Sequence, residues 1–222
     1  YEHGTFKYHL TGITNENRLR YVSWDYNPQR RAILSRRAGQ QGQPDEIVQL
    51  DFSYLNDGAA PRIIEINPHG KETIYHFEEV AGLRLLSRIE GKPHTHADIP
   101  EISCAPAHQY YQHDANGFLS TVTDWEGNVT RYERDAFGRE LQRTEGLRWA
   151  DGVVGTALQG YESARVTITR WHPRWNHPVR KLAAAQVTDR QYDCDSGLVL
   201  AERRYARGAE PAYVAPVCSP PE

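Results

Sequence analysis

Apolar and polar residues alternate with a period of two in several short runs, and helical periodicity is poor throughout. Val48-Gln49-Leu50-Asp51-Phe52-Ser53-Tyr54 and Val166-Thr167-Ile168-Thr169 carry the alternation, which predicts half-buried strands. Phe118 to Thr123 and Val129 to Arg134 are rich in β-branched and aromatic residues and predict two more strands. Asp124-Trp125-Glu126-Gly127-Asn128 separates them as a Gly-containing turn, so the unit is a hairpin. Leu83 to Ile89 and Val179 to Ala185 are each expected to hold a short helical turn at most.

The strongest internal signal is a near-duplication. Tyr111-Gln112-His113-Asp114-Ala115-Asn116-Gly117 is answered at a 21-residue offset by Tyr132-Glu133-Arg134-Asp135-Ala136-Phe137-Gly138. A fixed period of this size points to stacked supersecondary units. Each part of the motif has a mechanical reason. The Asp side chain can accept a backbone N–H two residues on and close an Asx-turn. Gly supplies the positive φ that such a turn needs. Tyr111 and Tyr132 then stand on extended segments, where a ring can stack across strands while its hydroxyl stays wet.

Weaker copies flank this pair. Trp24, Asn27 and Ile33 take the places of Tyr132, Asp135 and Leu141, with Arg30 at the Gly position. Ile66 to Tyr75 matches the inter-turn half that begins at Thr123. Tyr192, Asp195 and Gly197 match near the end, with the Gly one residue early. The expected organisation is one continuous array over 1–222, clearest over 111–145 and degenerate over 8–35, 47–90 and 165–205.

Composition changes the picture modestly. Leu, Ile, Val and Phe make up only 44 of the 222 residues, but a net charge of −3 with 13 Tyr and 5 Trp argues against disorder. A chain poor in aliphatics suits thin sheets better than a thick layered core. The balanced charge excludes a basic nucleic-acid footprint, and no apolar run approaches the ~18 residues of a membrane helix. Cys104, Cys194 and Cys218 are scattered and odd in number, which predicts no disulfide framework and synthesis in a reducing compartment. With no Met at all and Tyr at position 1, the sequence is expected to be part of a longer polypeptide.

The motif Tyr-x-x-Asp-x-x-Gly resembles the Rhs or YD repeat, and Tyr111 to Glu145 looks like two consecutive copies. His9-Leu10-Thr11-Gly12-Ile13-Thr14-Asn15-Glu16-Asn17, with Trp24-Asp25-Tyr26, is similar to the "LTGITDENG" segment of bacterial Rhs proteins. Thr169-Arg170-Trp171-His172-Pro173, with Pro178, resembles the "T-x-WHP" segment that follows the repeats. The resemblance covers nearly the whole chain. It implies an all-β fold of hairpin-ribbon repeats, forming part of a curved, hollow shell wall.

The resemblance also implies a function, that of a shell enclosing a C-terminal toxin for delivery into target cells. Such shells belong to type VI secretion effectors and to proteins related to insecticidal Tc complexes. The implied partners are the rest of the polypeptide, its toxin and a secretion apparatus. Localisation follows as synthesis in the bacterial cytoplasm and export by contact-dependent secretion. The chain departs from the family where paired cysteines often precede the repeats, since only Cys104 stands there. It also shows neither the aspartate-proline autocleavage segment nor a toxin domain. An excised ribbon exposes strand edges, which predicts self-association.

Candidate chemistry competes with these structural roles. His94-Thr95-His96-Ala97-Asp98 has the His-x-His spacing that puts two rings on one face of a strand for Zn²⁺. Pro93, Pro100 and Pro106 make the segment a loop, and a solvated His-rich loop is the preferred reading, without metal or cofactor. Asp114, Asp135 and Asp124 could pair as acids for glycoside chemistry, but recurrence with the repeat explains the first two better as turn caps. Ser103-Cys104 finds no identified base, although His108 is near in sequence. Trp125 and Trp171 could stack on a sugar, which would make the chain a carbohydrate- or surface-binding module. The expectation is a scaffold without catalysis.

Overall fold

A computed structural model describes residues 4–39, 44–58, 60–95 and 103–218. The chain forms two compact units, Tyr1–Tyr110 and Tyr111–Glu222. The first contains β1 (Gly12–Thr14), β2 (Arg20–Tyr26), β3 (Ala32–Arg37), β4 (Glu46–Asp51), β5 (Arg62–Ile66), β6 (Glu72–Val80) and β7 (Leu83–Gly91). Two very short strands follow, β8 (His94–Thr95) and β9 (Ser103–Cys104), and the boundary falls within β10 (Ala107–His113). The second unit continues with β11 (Leu119–Thr123), β12 (Val129–Arg134), β13 (Glu140–Trp149) and β14 (Leu158–Trp171). It ends with β15 (Pro178–Leu182), β16 (Gln186–Tyr192) and β17 (Val199–Ala206).

The expected all-β hairpin ribbon is what forms. Apart from β8 and β9, which pair with each other, hydrogen-bonded strand order follows chain order within each unit. The ladders are antiparallel, and tight turns join many of the paired strands, as at β2–β3, β6–β7, β11–β12 and β12–β13. In the first unit β1 has a neighbour on one side only, and in the second so does β17.

Neither of the two runs expected to hold a helical turn at most contains one. Leu83–Gly91 pairs along its length with β6, and Pro178–Leu182 lies between β14 and β16. The reason at β7 is the Ala81-Gly82 turn, with φ 52° and 75°. Two successive positive φ values make a hairpin turn whose twist matches that of the strands, and ladder pairing then overrides local propensity.

Burial is shallow. In the first unit Leu55 and Ile74 are the buried apolar side chains among the described residues. In the second, Val129 pairs with Thr123 across one ladder and with Leu147 across the next. Val129, Leu147 and Trp149 make a small core, covered by Val154, Leu158 and Ala164. Trp149 Nε1 donates to Thr123 Oγ1 at 2.9 Å, which satisfies both polar atoms inside the cluster. Full burial of a side chain such as Val129 contributes roughly 1.5–3 kcal/mol, so the ladders and turns must carry much of the fold.

Ala81 carries the strain of a left-handed backbone, which a short polar side chain tolerates better. Ala81→Asn is therefore expected to raise stability by about 0.5–1 kcal/mol in denaturant unfolding. An unchanged or lowered midpoint would contradict this turn assignment.

Candidate functional site

The repeat residues build one turn many times over. Asp114, Asp124, Asp135, Asn15, Asn27 and Asn67 each open a five-residue turn. In each, the N–H of the capping residue donates to the carbonyl four residues on at 2.8–3.0 Å. Its carbonyl accepts the N–H three residues on. The side-chain oxygen then accepts the N–H of the fourth residue in all six. In five it also accepts the N–H two residues on. The residue three after the cap has positive φ in every turn, whether it is Arg18, Arg30, Gly70, Gly117, Gly127 or Gly138.

Burial alone would raise the Asp124 carboxyl, but bonds from the Asn128 side chain and from the Asn128 and Glu126 N–H groups hold it below the usual range. At Asp135 burial again acts upward and is outweighed by the Arg139 side chain, with Arg139 Nε on Oδ2 at 2.7 Å. At Gly138 a Cβ would fall 2.6 Å from the Phe118 ring, so this glycine is demanded by packing as well as by φ. Sequence spacing assigned Asp195 to the last turn, and this is corrected. Asp193 is the cap, accepting from Ser196 N at 2.8 Å, because a six-residue turn shifts the frame.

The other sequence candidates do not come together. Tyr111 and Tyr132 are half-buried; burial pushes the Tyr111 hydroxyl up, and the Arg134 guanidinium lies 5.1 Å from the Tyr132 ring centroid. Trp171 is half-buried and its Nε1 donates to the Glu140 carbonyl at 2.8 Å. Trp175 Nε1 is likewise committed, to the Cys194 carbonyl at 3.0 Å. Trp125 differs: it rides the Asp124 turn and is 47% exposed. His94 lies on β8 with its Nε2 buried, and Gly70 is beside its ring. His96 and Asp98 lie outside the described residues.

The second unit contains a disulfide that spacing alone did not predict. Cys194 and Cys218 are bonded, with Cα atoms 5.6 Å apart, which corrects the expectation of unpaired cysteines. An odd count hides a single pair, and the partners come from a turn and from the segment after β17. The fully buried His172 stands beside them, with Nε2 3.3 Å from Cys218 Sγ. Nearby, Arg180 holds Asp189 with a two-pronged ion pair at 2.6 and 2.5 Å across the β15–β16 ladder. Its remaining prong donates to the Pro211 carbonyl at 3.1 Å. A groove of about 380 Å³ opens here, lined by Val179, Arg180, Tyr192, Tyr205 and Tyr213.

In the first unit one carboxylate gathers three bases. Glu90 accepts Lys92 Nζ at 2.5 Å and Arg88 Nη2 at 2.7 Å, and His76 Nε2 is 2.9 Å away. Period-2 spacing puts Arg88, Glu90 and Lys92 on one face, and register places His76 opposite Arg88. That spacing was the available signal, and sequence reasoning passed over it. Lys92 first, then His76 and Arg88, hold the Glu90 carboxyl down at about 2 against the opposing effect of burial. Burial and the guanidiniums of Arg88 and Arg62 keep His76 below its usual range, although Glu90 pulls it up. A carboxylate so committed is poorly matched to proton transfer near neutral pH and acts as a strut between β6 and β7.

A carboxyl depressed in the folded state stabilises above its unfolded value near 4.5 and loses that contribution as pH falls towards 2. Glu90→Gln should cost on the order of 2 kcal/mol at pH 7, after allowance for solvent screening at the exposed Lys92. It should also flatten the loss of stability between about pH 4.5 and 2. Urea midpoints that match the parent chain at both ends would contradict the strut.

Comparison with known proteins agrees with this architecture. The RHS Repeat family model matches residues 111–152, from the Tyr111 repeat through β13 to three residues beyond it. No curated protein matches. The crystal structure of TcdB2-TccC3-TEV is similar over 89% of this chain and 10% of that one, with a TM-score of 0.56 and 11% identity. The crystal structure of TcdB2-TccC3-Cdc42 is similar over 84% and 12%, with a TM-score of 0.47 and 11% identity. The chain thus spans about a tenth of the length of these structures. Residues 111–152 thus match the RHS Repeat model, and the ribbon fold is similar to that of TcdB2-TccC3-TEV.

Proposed function

We propose that this stretch is a wall segment of an Rhs-repeat shell, which encloses and chaperones a C-terminal toxin for delivery into target cells. The observation that carries the reading is the recurrence of one capped turn along a sequential ladder. The acids that chemistry could have recruited, Asp114, Asp124 and Asp135, are each engaged by backbone N–H groups of their own turn. A wall needs such repetition; a catalytic pair needs convergence of different groups at one place. We therefore read the segment as non-catalytic and without cofactor.

Its partners in this reading are the enclosed toxin, the rest of its own polypeptide and a secretion apparatus, of type VI or a related kind. Export from the bacterial cytoplasm follows. The outer strands β1 and β17 would pair with further strands of the shell or with a second copy. No helix among the described residues is long and apolar enough to cross a membrane.

A second reading, binding of a carbohydrate, is favoured by Trp125, whose ring is half exposed at a turn tip. Electron cryo-microscopy of the full-length protein separates the two. The shell reading expects one face of the ladder to line a closed space holding toxin density, with Trp125→Ala leaving encapsulation intact. Both faces open to solvent, together with glycan-array binding abolished by Trp125→Ala, would overturn it.

A further inference from the structure

Beyond β17 the chain doubles back as a strap across the second unit. Arg180 Nη1 holds the Pro211 carbonyl at 3.1 Å, and Tyr213 takes the guanidiniums of Arg170 and Arg180 at 5.7 and 5.2 Å from its ring centroid. The strap roofs the groove of about 380 Å³ beside Val179 and Tyr205, and it ends on the Cys194–Cys218 bond. Cys194 lies in the turn capped by Asp193. The bond thus ties the strap to the turn between β16 and β17.

His172 gives this bond a chemical environment. Its Nδ1 accepts the backbone N–H groups of Arg174 at 3.2 Å and Trp175 at 3.0 Å. Two donors aimed at Nδ1 leave no place for a proton there, so the neutral ring carries its proton on Nε2. Nε2 is the atom facing Cys218 Sγ at 3.3 Å. The same tautomer argues against a metal held by His172, Cys194 and Cys218, although their ligand atoms lie within 4.8 Å of one another. A metal on Nε2 would need the lone pair there and would force a proton onto Nδ1, against two N–H groups. Burial also holds the imidazole below its usual range, in keeping with a neutral ring.

We propose that Cys194–Cys218 is a reversible thiol–disulfide site, at which a dithiol reductant frees the strap and His172 stabilises Cys218 as the leaving thiolate. The thiolate of the dithiol attacks Cys194 Sγ. The sulfur–sulfur bond breaks, and its electron pair leaves on Cys218 Sγ, where the Nε2–H of His172 donates to it. The second thiol of the reductant then displaces Cys194 from the mixed disulfide. Two electrons pass to the protein, the dithiol becomes a disulfide, and its two protons end on the cysteines. A thiolate with a donor beside it has a lowered pKa and leaves faster. This inference concerns the second unit itself and does not rest on the shell reading.

The test is made on the whole chain with Cys104→Ser, in graded ratios of reduced to oxidised dithiothreitol. Free thiols are trapped by alkylation and read by mass spectrometry, with trypsin cleavage at Arg207 followed in parallel and total zinc measured. Both thiols should appear together, and cleavage at Arg207 should rise about tenfold on reduction while Arg203 and Arg204 on β17 stay protected. His172→Asn should slow reduction by about tenfold. If that variant does not fold, Cys218→Ser should show the fast Arg207 cleavage without any reductant. Full alkylation of both cysteines before reduction, equal cleavage in the two redox states, or stoichiometric zinc in the reduced chain would each overturn the proposal.

Discussion

Every reversal of this chain has to satisfy backbone groups in water-facing turns while placing the next strand in register. At six of the turns one side-chain oxygen does both. From its position at the end of a strand, the cap accepts the N–H two and four residues on, and the residue between those donors takes a left-handed backbone. Without the cap, the fourth N–H would have no protein partner on the turn side, and the loop would be free to slip. Because a one-residue slip moves every side chain to the opposite face, register here is as consequential as any core contact.

That constraint explains the composition. Among the described residues buried positions are few, and several are threonine, as at Thr121, Thr123, Thr167 and Thr169. Polar groups inside such a thin structure must find partners locally. Trp149 bonds Thr123, Arg180 bonds Asp189 on the neighbouring strand, and Glu90 gathers Arg88 and Lys92 from its own strand face. These contacts reach no further than the second strand along the ladder. Stability distributed in this way lets a chain be lengthened by repeats.

Much of the turn machinery was legible in the sequence. The offset between Tyr111 and Tyr132 exposed Asp114, Asp135 and their glycines, because a repeated backbone need selects the same residue types. Asn27 was visible in spite of Arg30 at the glycine position, and Arg30 does adopt the left-handed φ, at 65°. The Asn15 cap escaped notice as a turn because Arg18 masks its pattern in the same way. Asp193 was misassigned because its turn has one more residue. What sequence could not supply were meetings fixed by register or by chain return: His76 beside Glu90, and Cys218 beside Cys194. Apolar clustering at Leu83–Ile89 suggested a helical turn, and two positive φ values at Ala81-Gly82 settled the strand instead.

The capped turn can be read directly by amide hydrogen exchange at single-residue resolution. Phe118, Asn128 and Arg139 donate their N–H groups to Asp114, Asp124 and Asp135 through the side chain, at 2.8–3.0 Å. The account predicts that these three turn amides exchange as slowly as their strand neighbours, within about tenfold. Exchange at the rate of an unstructured loop, with the strands protected, would show that the caps do not hold the turns.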